Sequence, residues 1–310
     1  MPLAVTVSLF FLMAGAGSVL YNGFLAPQVF LNLLIDNAFL CIVAVGMTFV
    51  ILTGGIDLSV GAVLALTTMI SAQLVERNGM SPFLVIPLVL AVGASFGMAQ
   101  GYLVQRYRMQ PFIVTLAGMF LARGLCYLIS TESISIDHAV YGAIAQARIP
   151  VGDASLSVSA VIAIVVVLLG MWLAHSTQFG RTVYAIGGSE SSAELMGLPV
   201  GATVMRVYML SGLCAALGGV VLTFYMLSGY SLHAVGLELD AIAAVVIGGT
   251  LLRGGVGYVI GTLFGVLILG LIQTLIVFEG TLSSWWTRIA VGALLLVFCL
   301  LQRLFEVRRA

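Results

Sequence analysis

Lysine is missing from this chain: all 12 basic residues are arginine. A Walker A phosphate loop requires its lysine, so a standard ATP-binding loop is excluded, and any ATP-driven step belongs to a separate polypeptide. Charge of either sign is scarce. Charged residues are 8% of the chain with a formal net charge of zero, against about 25% in soluble domains, and nucleic-acid binding has no basis. The three histidines, His138, His175 and His233, are far apart. No HExxH or GxSxG pattern occurs and no acid/base pair stands out, so neither an enzyme nor a bound metal or cofactor is expected. The four cysteines, Cys41, Cys126, Cys214 and Cys299, fall inside apolar runs without metal spacing and read as small packing side chains.

What fills the space is apolar: 61% of the 310 residues are hydrophobic, in continuous rather than alternating runs. That predicts an all-α integral membrane protein and argues against a β-barrel. At about 20 residues per span there is room for about ten helices. The expected spans are 3–20, 31–52, 58–75, 82–104, 111–130, 155–174, 204–227, a short one at 239–251, 258–278 and 285–304. The first twenty residues have no basic region before their apolar run and read as a span rather than a cleaved signal peptide. One transmembrane domain, 1–310, is expected, with a polar segment at 131–154 and a longer interruption at 175–204.

Arginine placement sets the orientation. With both ends in the cytoplasm, the inner connections hold Arg106, Arg108, Arg181, Arg206, Arg253, Arg303, Arg308 and Arg309, and the outer ones only Arg77 and Arg148. This obeys the positive-inside rule, whereas the inverse breaks it. Segment 131–154 then lies outside, Trp285 and Trp286 sit at the outer interface, and segment 175–204 is cytoplasmic.

Within 175–204 a short helix is expected. Ser191 and Glu194 have capping-box spacing, Gly197 is placed to end the helix in a left-handed conformation, and Pro199 blocks its continuation. Leu195, Met196 and Leu198 give it an apolar side, so it reads as a docking element for another protein.

Four further places carry polar or helix-breaking signals. Thr53-Gly-Gly-Ile-Asp-Leu-Ser places Gly54 and Gly55 before Asp57 and Ser59, where the carboxylate can cap the next helix. Either a broken transport helix or a tight inner turn fits it. Asp240 opens a short span interrupted by glycines, which marks a cavity wall or close packing. Asp36, Asn37 and Arg123 lie within or near spans, where ionisable groups face a cavity or each other; for Arg123 a backbone carbonyl or an acid is the favoured partner. Phe112 and Phe120 could stack on a sugar, although in spans such rings more often pack or face lipid.

Four blocks in register go further: Gly54-Gly-Ile-Asp-Leu-Ser-Val-Gly61, Gln110-Pro-Phe-Ile-Val-Thr115, the run Gln178–Gly188 ending in Gly187 and Gly188, and the run Gly236–Gly249. Together, over nearly the whole chain, they resemble the permease subunits of bacterial ribose-type sugar ABC importers, and within that family those of galactofuranose importers. The resemblance implies a multi-pass protein of the bacterial inner membrane. It implies three partners: a second permease, a cytoplasmic ABC ATPase carrying ATP and magnesium, and a periplasmic sugar-binding protein. It also implies that Gly180–Pro199 holds a coupling helix, with Gly187, Gly188, Ser191, Glu194, Leu195 and Gly197 as coupling residues. Asn37, Gly54, Gly55, Asp57, Ser59, Phe112, Thr115, Arg123 and Asp240 are the candidates for the substrate pathway or its helix breaks. The chain departs from the family pattern at Ser189, at Ser191-Ser192-Ala193-Glu194 and at Arg253. The alternative is an ion-coupled secondary sugar carrier, which would need titratable groups near the midplane.

Overall fold

The computed structural model describes residues 2–307 apart from 282 and 284. Its helices are α1 (Pro2–Leu20), α2 (Pro27–Asp36), α3 (Ala38–Leu52), α4 (Val60–Ala72), α5 (Pro82–Arg106), α6 (Pro111–Ile129), α7 (Ala139–Gln146), α8 (Val158–Ser176), α9 (Gln178–Gly188), α10 (Glu190–Leu195), α11 (Val200–Met226), α12 (Leu237–Ile247), α13 (Val259–Glu279) and α14 (Trp285–Val307). The only strands among the described residues are four short ones: β1 (Ile134–Ser135), β2 (Arg148–Val151), β3 (Ala154–Ser157) and β4 (Ser228–Gly229). The chain is thus an all-α integral membrane protein. Among the described residues seven helices are long and apolar enough to cross a membrane, one of them α4 continued through a π-helical turn to Arg77, and the bent pair α2–α3, taken as one span, makes an eighth. The 11-residue α12 and the last helix α14 bring the total near the expected ten.

The core is α3, α4 and α11, whose side chains are buried nearly all round. A helix apolar on every face is one surrounded by others. Small residues let them approach: on α5, Gly93 and Gly97 lie against the backbone of α11, where a Cβ would overlap the Gly212 and Tyr208 carbonyl oxygens. The outer helices α5, α6 and α8 bury one face and present Phe83, Phe120, Leu128 and Leu168 outward. α11 has 27 residues, about 40 Å at 1.5 Å per residue. That exceeds the apolar thickness of a bilayer, so part of α11 extends beyond it.

The polar connections gather at two opposite ends. At one end, Tyr21 Oη donates to Glu279 at 2.5 Å, the Asp137 amide donates to Glu76 at 2.9 Å, and β1 pairs antiparallel with β4. At the other, Arg108 meets α10, and the Gly255 amide donates to the Leu52 carbonyl at 2.9 Å. The first set belongs to the connections expected outside and the second to those expected inside. Arg308 and Arg309, assigned to the inside, lie outside the described residues.

Several expectations are corrected. The second span is not one helix: it breaks at Asn37 with a bend of 58° between α2 and α3. Hydropathy misses this because a window of about twenty residues averages the strongly apolar α3 with the more polar α2, which carries Gln28, Asn32 and Asp36. The polar segment 131–154 holds β1, α7 and β2, and β2 pairs with β3, which starts at its last residue. Segment 175–204 carries two helices, α9 and α10, where one was expected.

Candidate functional site

The site residues separate into an inner junction and an outer cavity. At the junction, α3 stops because Thr53 Oγ1 folds back on the Val50 carbonyl at 2.8 Å and Gly54 turns left-handed at φ +79°. The chain then carries Asp57 inward. Its Oδ1 accepts from the Ser59 amide at 2.9 Å and from Ser59 Oγ at 2.7 Å, and its Oδ2 accepts from Ser211 Oγ of α11 at 2.7 Å. Only 1% of Asp57 is exposed. The N-cap position of α4 is Ser59, not Asp57, so the carboxylate organises the turn one step earlier and ties it to α11. Ser59 Oγ also reaches Gln100 Oε1 of α5 at 3.1 Å, and Thr115 Oγ1 of α6 donates to its own Pro111 carbonyl at 2.9 Å and to the Ile56 carbonyl at 3.3 Å. Asp57, Ser59 and Thr115 therefore form one buried polar knot beside the turn at Gly54 and Gly55, of which Gly54 is exposed. Ser211 and Gln100, which sequence reasoning missed, complete it; their one signal was a polar side chain inside an apolar run.

Asp57→Ala removes three hydrogen bonds at once and leaves the buried Ser211 hydroxyl without its acceptor, while Ser59 Oγ keeps only Gln100 Oε1. The expected loss is about 1.5–3 kcal/mol, the scale of bonds to a charged acceptor, above the usual ~1 kcal/mol of a lost cap. Thermal unfolding in detergent measures it. A midpoint unchanged from the parent, with unchanged transport, would show that the knot holds nothing.

The same junction receives the two helices of segment 175–204. α9 begins at Thr177, whose Oγ1 accepts from the Gly180 amide at 3.1 Å, and buries Thr182, Val183 and Ile186. Its last turn brings Gly187 against Leu52 and Gly255, so close that a Cβ on Gly187 would overlap the Leu52 carbonyl oxygen. A single residue, Ser189, then links α9 to α10. Its backbone is extended, its amide closes α9 on the Ala185 carbonyl at 3.0 Å, and its Oγ accepts from the Ser192 amide at 3.3 Å to start α10.

The capping box is therefore corrected. Ser189, not Ser191, is the cap, because a one-residue link leaves no room for a later one. Ser191 is inside the helix, and Glu194 sits two residues beyond the capping-box position, which Ser192 occupies. Instead Glu194 and Glu190, four residues apart on one face, grip Arg108 at 2.9 and 2.8 Å. Arg108, held at φ +53°, comes from the α5–α6 connection. The Glu194 hydrogen bond, then the charges of Glu194 and Glu190, raise the Arg108 pKa. Gly197 has φ +76° and lies just past the end of α10. Ala193 is buried, whereas Leu195 and Met196 are 90% and 75% exposed.

The outer cavity, about 630 Å³, lies between α2, the outer end of α11, the start of α12, α13 and α14. Asn37 and Asp240 both line it, with Asp36. Arg123 does not. Its Nη1 donates to the Ser231 and His233 carbonyls at 2.5 and 2.9 Å and pins the segment between β4 and α12. Arg123 lies twelve residues along α6, about 18 Å from its start, so the non-helical backbone it holds lies at membrane depth. Such backbone persists only where protein or a water-filled cavity adjoins it. Phe112 and Phe120 are exposed, at 51% and 66%, and neither touches the cavity.

A family described as "Branched-chain amino acid transport system / permease component" matches residues 29–299. The chain belongs to this family. It is accordingly a permease component, a transport subunit rather than an enzyme, and a multi-pass protein of the inner membrane. Among curated relatives it is 52% identical to the inner membrane ABC transporter permease protein YjfF of Escherichia coli, over 98% of this chain and 92% of that one. It is 44% identical to the fructose import permease protein FruG of Bifidobacterium longum, over 97% and 90%. It is 41% identical to the ribose import permease protein RbsC of Bacillus subtilis, over 92% and 88%. No solved structure matches the chain.

Proposed function

We propose that this chain is the transmembrane permease subunit of an ATP-driven ABC importer that moves a monosaccharide, with galactofuranose the first candidate, from periplasm to cytoplasm. Segment 175–204 couples it to a separate ATPase chain, which carries ATP and magnesium. A second permease, either a copy or a paralogue, and a periplasmic sugar-binding protein complete the assembly. The observation that carries this reading is α10: a short helix capped by Ser189, braced by Arg108 and ending in the bare pair Leu195 and Met196. Two large apolar side chains at an aqueous end of a membrane protein suit a partner's groove. The fructose and ribose import permeases among the relatives support a sugar, and the resemblance of the four sequence blocks supports galactofuranose. The missing lysine agrees with an ATPase on another chain.

The test is uptake into liposomes holding the permease pair, the ATPase and the binding protein. ATP-dependent uptake of galactofuranose, poorly competed by ribose or fructose, is the expected result. Preference for ribose or fructose would change the sugar only. Uptake of leucine or isoleucine would overturn the substrate class, and uptake driven by an ion gradient without ATP would establish a secondary carrier.

A further inference from the structure

The outer cavity is an open cleft lined by helices of a single protomer and walled by polar groups that the coupling machinery leaves unused. Asp36, Asn37, Tyr225, Asp240, Gln273 and Thr274 all face it. They come from the end of α2 and the break that follows it, and from α11, α12 and α13, so that four separate stretches of the chain converge. Polar side chains in membrane-embedded helices are costly unless they meet water, one another or a ligand. Only part of their capacity is used internally. Asp36 Oδ1 accepts from Tyr225 Oη at 3.2 Å, Asn37 Nδ2 donates to the Leu33 carbonyl at 2.9 Å, and Thr274 Oγ1 donates to the Gly270 carbonyl at 2.9 Å. Asp240 and Gln273 make no side-chain hydrogen bond among the described residues.

The break that forms the wall is built in. Gly270 of α13 lies so near the Asn37 amide that a Cβ there would stand 2.5 Å from Nδ2, so α13 leaves room for the kink. A helix interrupted at a polar pair beside a cavity is how transporters expose hydrogen-bonding groups at membrane depth. The volume of about 630 Å³ lies within the range of about 300–1,000 Å³ for small-molecule sites.

The lining selects a ligand class. Two carboxylates accept hydroxyl hydrogens, the Gln273 amide both donates and accepts, and Leu33, Leu40 and Leu269 supply apolar floor. The charged and titratable groups beside the acids are Arg288 and Glu238, near Asp240, Tyr225, bonded to Asp36, and His233 on the wall. One fixed cation against two carboxylates disfavours phosphate and carboxylate ligands and suits a neutral polyol. We propose that this cavity is a sugar-binding site inside one protomer, with Asp36 and Asp240 as its hydroxyl acceptors. The proposal deepens, and rests on, the sugar-import reading above.

Two measurements test it in the reconstituted assembly. The double variant Asp36→Asn/Asp240→Asn is expected to lower sugar uptake about tenfold or more, the scale of lost charge-assisted bonds. Stimulation of ATP hydrolysis by loaded binding protein should remain, so that sugar moved per ATP falls. Separately, Gln273→Cys in the permease in nanodiscs is labelled from outside with a charged thiol reagent. Galactofuranose should slow that labelling several-fold, and gluconate should not. Parental uptake per ATP in the double variant would overturn the site. So would labelling that sugar leaves unchanged, which would mark a lipid-filled cleft. If the parent assembly transports no sugar, the import reading fails; the labelling needs no ATPase and still decides the cavity.

Discussion

Leu195→Asp or Glu194→Pro is expected to reduce sugar uptake to background while the permease stays folded in the membrane. A helix of six residues is not stable alone, because nucleation is costly. α10 is instead held by the Ser189 cap, by buried Ala193 and by the two bonds from Arg108. Leu195 contributes little to that support, being 90% exposed, so a charge there alters what the helix can dock on and not how it folds. Glu194→Pro acts differently: it removes an amide donor, strains the preceding turn and discards one Arg108 contact. Both should abolish the rise in ATP hydrolysis that loaded binding protein causes, with the binding protein's own sugar affinity unchanged. An outward control must avoid Ile134, which is 5% exposed in β1 opposite Gly229; Ile149, exposed on the β2–β3 hairpin, serves, and Ile149→Asp should leave ATPase docking intact. Normal transport per ATP in Leu195→Asp would reduce α10 to a connector.

Gly187→Val should be the most destabilising single change at the inner junction. Three segments meet there backbone to backbone: the end of α3 at Leu52, the last turn of α9, and the α12–α13 connection at Gly254 and Gly255. A Cβ at Gly187 would overlap the Leu52 carbonyl oxygen and the Gly255 amide. Neither can swing aside as a side-chain tip could, since each is backbone and the two are bonded to each other. The expected cost is about 3 kcal/mol or more, at the upper end of overpacking, read as a lowered unfolding temperature and poor recovery of the assembled complex. Gly188→Ala is the paired control: nothing lies within 4 Å of a Cβ there, so a change within about 0.5 kcal/mol is expected. Equal behaviour of the two variants would show that α9 does not pack on the transport helices as described.

The junction also explains why local sequence reading stopped where it did. Gly54-Gly55, Gly187-Gly188 and Gly254-Gly255 were each visible as paired glycines, but their meeting was not, because more than sixty residues separate each pair from the next. Asp57 was legible as a helix-start residue from its spacing to Ser59. Its bond to Ser211 spans 154 positions, and no local pattern encodes it. The cap of α10 went to the wrong serine for a related reason. Ser189, Ser191 and Ser192 are equivalent as cap residues, and the end of α9, an unforeseen helix, selects among them.

By itself the sequence determined the membrane class, the approximate number of spans and the presence of a polar interruption at 175–204, and it supplied the arginine bias from which an orientation is expected. Hydropathy sums over some twenty residues, and arginine bias sums over whole connections, so neither depends on which helix neighbours which. Tertiary structure alone decided the kink at Asn37, the burial of Asp57 among Ser59, Ser211 and Gln100, and the gathering of Asp36 and Asp240 around one cavity. In an apolar bilayer nearly every helix is apolar on all sides, so the amphipathic stripe that marks inward faces in soluble proteins is absent. Which face turns inward is set by close contacts between small residues and by a few long-range hydrogen bonds.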